Sequence, residues 1–151
     1  MRKGAFKRLR EYIVQTNTLT EDPNRFQEHH SGASVDDDRR CFDIAVRMLD
    51  FWGFNDQEKA KVLGDISVST FRRYKRGEMK RRLTADCRTR ISLILGIYKA
   101  LRIIFVQDMH HAKWVNNPNK RLNELSPKAV MVMGSMINLY DIRRYLDAVR
   151  N

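Results

Sequence analysis

The sequence has no apolar run long enough to cross a membrane. Its most apolar stretch is broken by Arg90, Lys99 and Arg102, whereas a spanning helix needs about 20 predominantly apolar residues. No apolar stretch of signal-peptide type stands at the start, so a cytoplasmic protein is expected. Cysteine is scarce as well. Cys41 and Cys87 lie far apart, with no C-x-x-C and no paired Cys and His spacing, which signals neither a disulfide framework nor a zinc site. Both are read as small core residues. Also missing are a P-loop, G-x-G-x-x-G, G-x-S-x-G and H-E-x-x-H. The pairs His29-His30 and His110-His111 are adjacent rather than four residues apart, so neither pair turns one helix face to a metal, and both are read as solvated. Asp36, Asp37 and Asp38 lack the glycine and distal glutamate of a calcium loop; they suit the positive end of a helix dipole. No catalytic residue, metal or cofactor is expected, and the chain is read as something other than an enzyme.

What the chain has in excess is positive charge. Lys and Arg number 29 against 18 Asp and Glu, and a net charge of +11 is a self-repulsion that an anionic partner would relieve. Nucleic acid is the first candidate. With 151 residues, 42% of them hydrophobic, there is enough material for a core, in one compact unit or two small lobes.

No β pattern of any length competes with helical periodicity, and an all-α fold is expected. Residues 1–35, with a basic amphipathic piece from Arg2 to Tyr12 and a polar stretch after it, read as a loosely ordered arm. From Asp36, the residues Phe42, Ala45, Val46, Leu49 and Phe51 recur at helical spacing up to Gly53. A short helix follows from about Asp56 to Leu63, ended by Gly64; another begins at the cap Ser67, turns Val68, Phe71 and Tyr74 inward, and stops at Gly77. Two short helices around a tight glycine-bearing turn predict a helix-turn-helix over residues 36–82.

Residues 83–151 predict a second helical part. Thr84 caps a helix on which Cys87, Ile91, Ile94, Tyr98, Leu101 and Phe105 form one apolar stripe and Leu93, Ile97, Ala100 and Ile104 a second. One stripe suffices for a surface helix. The second implies either a central position or a subunit interface, and a homodimer through these four residues is expected because two-fold dimers read two half-sites. A short helix from Asp108 to Val115, the loop Asn116-Asn117-Pro118-Asn119, a helix opening at Ser126-Pro127 and a last helix ending near Arg150 complete the chain.

The charge is concentrated between Ile66 and Arg90, where nine Lys or Arg residues face only Glu78 and Asp86. With Phe71 and Tyr74 inward, Ser69, Arg72, Arg73 and Arg76 fall on the outward arc, with Thr70 beside them. Arginines there can read guanine in a major groove, while Lys75, Lys80, Arg81 and Arg82 suit phosphates. An ordinary solvated basic face is the alternative.

The stretch Ala60-x-Val62-Leu63-Gly64 followed by Ser67-x-x-Thr70-Phe71-x-Arg73-Tyr74-x-x-Gly77 resembles the helix-turn-helix of Xre/MbcA/ParS-type antitoxins, with a turn one residue longer than their commonest spacing. Leu83, Asp86 and Arg90, then Trp114-x-x-x-Pro118-Asn119-x-x-Leu122, Ser126-Pro127 and the ending Ile142-Arg143-Arg144-Tyr145-Leu146 resemble that family's toxin-binding domain. Glycines common after the Pro-Asn loop are replaced by Arg121, Asn123 and Glu124.

The resemblance implies a type II antitoxin that binds a RES-domain, NAD-consuming toxin and represses its own operator DNA. It assigns toxin contact to Trp114, Asn117, Pro118, Asn119, Arg143, Arg144, Asp147, Arg150 and Asn151. The last helix and its terminal carboxylate would then block the toxin cavity; a terminus whose charges are simply solvated is the other reading. The competing function is a stand-alone helix-turn-helix regulator whose C-terminal half only dimerises.

Overall fold

A computed structural model describes residues 34–150. Most of the expected N-terminal arm, the pair His29-His30 and the terminal Asn151 lie outside the described residues. The remainder is all-α: α1 (Val35–Phe51), α2 (Asp56–Val62), α3 (Val68–Lys75), α4 (Ala85–Ile104), α5 (Asp108–Asn116), a 3-10 turn (Lys120–Leu122), α6 (Pro127–Val132) and α7 (Met136–Arg150). No strand occurs among the described residues; Asn119 and Leu125 form an isolated bridge.

Local chemistry starts most of these helices. Ser34 with Asp37 and Asn55 with Glu58 form capping boxes, in which each side chain takes the other residue's backbone N–H. Ser67, Thr84 and Ser126 each accept from the N–H three residues on, and Pro127 occupies the first turn of α6, where no donor is required. The turn between α2 and α3 uses two successive residues of positive φ. Gly64 has φ +119°, and the left-handed position falls on Asp65 at φ 54°, a conformation that aspartate tolerates better than most residues.

α4 packs against both α1 and α7, and this explains its two stripes. Ile97 and Ala100 are completely buried inside the chain, while Leu93 and Ile104 are half-buried against the same core. The inference of a subunit interface from this stripe is therefore corrected: its central residues are occupied by the chain's own helices. Phe42, Leu49, Trp52, Phe71, Ile94, Leu139 and Ile142 belong to one continuous core drawn from both halves of the sequence.

Two ties fix α7 relative to α4. The Arg90 guanidinium donates to the carbonyl of Gly134 at 2.7 Å, and that of Arg143 donates to the carbonyl of Gly96. Both anchors advance in the same direction, so α7 runs parallel to α4. Burial supplies most of the energy. Each fully buried Leu or Ile contributes about 1.5–3 kcal/mol, against about 0–1 for an exposed ion pair, so Leu139, Ile142 and Leu146 seat this helix.

His111 overturns an expectation. It is completely buried, its Nδ1 accepts from the indole N–H of Trp52 at 3.3 Å, and its ring meets Tyr98 edge-on. Burial, reinforced by the positive Arg102, pushes its pKa down to about 4, so the neutral ring is a core group. His110 is exposed, as read.

Candidate functional site

Two surfaces carry the chemistry that the sequence singles out. The first is the basic face around α3. Phe71 is buried and Tyr74 half-buried against Phe42, so Ser69, Arg72, Arg73 and Arg76 all reach solvent. Thr70 is half-buried and occupied locally: its backbone N–H donates to the Ser67 hydroxyl at 3.1 Å, and its own hydroxyl oxygen accepts from Ser67 at 2.9 Å.

Several of these cations have acidic neighbours. Arg72 donates to Asp56 at 3.2 Å, Lys75 stands 3.7 Å from the same carboxylate, and Arg76 pairs with Glu78 at 2.8 Å. The Arg72 hydrogen bond holds Asp56 below the usual carboxylate range, and the Arg76 hydrogen bond does the same to Glu78. Arg73 lies over the Tyr74 ring at 5.8 Å. Together with Glu78, Lys80 and Arg81 these two residues line a cleft of about 490 Å³.

Arg82 differs from its neighbours. It grips the buried carboxylate of Asp38 at 2.6 and 3.2 Å, and the backbone N–H of Leu83 donates to the same carboxylate at 2.8 Å. The phosphate role expected for Arg82 is corrected accordingly, since the side chain clamps the segment before α4 onto α1. Asp38 is likewise more than a favourable charge at a helix start. Arg88, also in the basic run, donates to the Leu83 carbonyl at 2.7 Å.

The second surface is built from α5, the loop that joins it to α6, and α7. Trp114 stacks on Tyr145 with ring centroids 6.0 Å apart, Arg121 covers Tyr145 at 5.6 Å, and the Asn119 amide donates to the Tyr145 hydroxyl at 3.5 Å. Asn119 also closes the loop on itself, accepting the Arg121 N–H at 2.9 Å. Its backbone N–H donates to Leu125 at 3.0 Å. Asn123 and Glu124 take the left-handed conformation, with φ 55° and 63°. Asn117 and Pro118 are exposed.

The α7 charges divide unevenly. Arg143 is half-buried, tied to Gly96 and, at 3.0 Å, to Asp147; Arg150 approaches Asp147 at 3.8 Å. The reading of Arg143 and Asp147 as charges presented to a partner is corrected, because each neutralises the other against the fold. Arg144 is exposed and makes no ion pair among the described residues. Val149 is also exposed.

Sequence reasoning missed two buried cations. Arg90 donates to Asp86, to the Val62 carbonyl and to Gly134, joining α2, α4 and the turn before α7. Lys59 is buried between Asp50 and Asp56 with Phe71 below it at 5.5 Å. Helical spacing puts Lys59 beside Ala60 on the inner side of α2, yet charge alone argued for solvent. Among the described residues no group of His, Cys, Asp or Glu is placed to hold a metal, and no helix is long and apolar enough to cross a membrane.

Comparison with known proteins adds two findings. Residues 100–151 match the family described as the antitoxin Xre/MbcA/ParS C-terminal toxin-binding domain. The uncharacterized protein y4oB of Sinorhizobium fredii (strain NBRC 101917 / NGR234) is 36% identical over 104 residues, covering 69% of this chain and 79% of that protein.

Proposed function

The chain belongs to the antitoxin family marked by the Xre/MbcA/ParS C-terminal toxin-binding domain, and on that premise we propose that it neutralises a RES-type, NAD-consuming toxin and represses its own operon. It acts as a cytoplasmic binding protein and not as an enzyme. The observation that carries this reading is the family match over residues 100–151, a stretch whose exposed residues include Arg144, Arg150 and Val149. The end of α7 covers the toxin's active site, with the aromatic stack of Trp114 and Tyr145 holding the helix in place.

Operator binding falls to α2, the turn and α3, in a homodimer that reads two half-sites. Ser69, Arg72, Arg73 and Arg76 enter the major groove, while Lys75, Lys80 and Arg81 neutralise phosphates. The ion pairs to Asp56 and Glu78 are no obstacle. Exposed pairs are worth about 0–1 kcal/mol, and a phosphate that replaces the carboxylate gains released counterions.

Growth of cells expressing the adjacent gene alone, with the full chain, or with a chain ending at Asp147 tests the first half. That truncation keeps Leu146 and the Arg143–Asp147 pair, so a folded protein that binds DNA and fails to rescue growth is expected. Cellular NAD should fall in the unprotected cells. A harmless adjacent gene refutes the antitoxin reading and favours a stand-alone regulator. For the second half, Arg73→Ala with Arg81→Ala should weaken binding to the chain's own promoter and make its salt dependence shallower, by about one in slope for each phosphate left without its cation. Unchanged affinity removes operator recognition from this face.

A further inference from the structure

The corner where α4 passes into α5 exposes an apolar patch that the other described residues leave uncovered. Val106 is 94% exposed, Met109 63% and Ile103 53%, so three large apolar side chains within seven residues face water. Scattered exposed apolar residues are ordinary, whereas a cluster of them marks an interaction surface. A second element brings an exposed apolar side chain to the same end of the molecule. From the Gly96–Arg143 tie, seven residues of α4 lead to Ile103 and six residues of α7 lead to Val149, advances of about 9–10.5 Å in the same direction at 1.5 Å per residue. Val149, itself 51% exposed, therefore emerges at the same end of the molecule as Ile103, next to the chain terminus.

We propose that Ile103, Val106, Met109 and Val149 form the apolar centre of the surface that docks the toxin, with Arg150 on its rim. This deepens the antitoxin reading and rests on it. Three observations favour that occupant. The toxin-binding family match starts at residue 100, on the last turn of α4, and includes all four apolar residues. The patch lies at the same end of the molecule as the end of α7, the element assigned to the toxin's active site. Residues 100–151 also hold eight Lys or Arg against four Asp or Glu, which suits a partner with an apolar depression edged by carboxylates. Buried apolar anchors carry most of the energy of such interfaces, and exposed rim charges mainly set the encounter rate.

The test uses Val106→Asp and Met109→Glu in the full-length chain. Both positions are open to solvent, so unfolding curves should match the wild type. Affinity for the purified protein encoded by the adjacent gene should drop at least tenfold for each variant, and the double variant should no longer protect cells. Met133→Gln, at an exposed apolar site elsewhere, should stay within threefold of wild type. Light scattering on the free chain covers the other occupant: conversion of a dimer to monomers by Val106→Asp would assign the patch to a second copy and overturn the proposal. Unaltered affinity in the double variant also overturns it. If the wild-type chain itself neither binds nor protects, the antitoxin reading falls, and the docking surface with it.

Discussion

Replacing Gly96 by alanine sets two effects of known size against each other. In an unobstructed helix interior the change stabilises by about 1 kcal/mol, because glycine loses more backbone entropy on folding. Here the new methyl would stand 2.9 Å from Nη1 and 3.2 Å from Cζ of Arg143, so the guanidinium must leave the Gly96 carbonyl. A hydrogen bond from a charged donor contributes about 1.5–3 kcal/mol. The net expectation is a loss of about 0.5–2 kcal/mol. In an Arg143→Ala background the obstruction is gone, and the same substitution should stabilise by about 1 kcal/mol. Urea unfolding of the four proteins gives the double-mutant cycle directly, with an expected coupling of about 1.5–3 kcal/mol. Stabilisation by Gly96→Ala in the otherwise wild-type chain, additive with Arg143→Ala, would refute the idea that this glycine is a notch for the arginine. The cycle also bears on function. Arg143 sets the approach of α7 to α4, so a displaced guanidinium should weaken growth rescue even though Arg143 touches no partner.

Further expectations concern the core and the loop. The folded His111 binds its proton near pH 4, whereas the unfolded chain does so near 6.5, so the unfolded state holds more protons between these values and stability falls as pH drops through that window. The loss should reach about 2–3 kcal/mol by pH 4.5; His111→Gln should remove it, and an unchanged pH slope in that variant would assign the loss to other groups. At Glu124, with φ 63°, glycine relieves a left-handed strain of about 1–2 kcal/mol at an entropic cost of up to about 1, so Glu124→Gly should raise the melting temperature by a few degrees. A lowered melting temperature would mean that the Glu124 side chain has a role beyond closing the loop.

Helix starts and loop chemistry are legible in the sequence because their causes are local. The caps Ser67, Thr84 and Ser126, the first-turn Pro127 and the turn bond of Asn119 each depend on residues no more than three positions away. The same locality explains Asn123 and Glu124, where the loop demands positive φ and this chain meets the demand without glycine. Periodicity goes one step further, since it identifies an apolar face without identifying what covers it. Both stripes of α4 are visible in the spacing of Ile94, Ile97 and Leu101, but the sequence alone leaves open whether α7 or a second subunit lies against Ile97. Charge is the least legible property, because its role depends on a counter-group placed by the fold. Arg81 and Arg82 are neighbours of the same type, yet Arg82 meets the carboxylate of Asp38, forty-four positions away, and becomes a clamp, while Arg81 stays in the open cleft. Arg143 and Arg144 divide in the same way, one entering the notch at Gly96 and the other facing solvent. A run of arginines therefore measures the reservoir of positive charge, and the buried carboxylates and glycine notches of the fold decide how much of it remains for a partner.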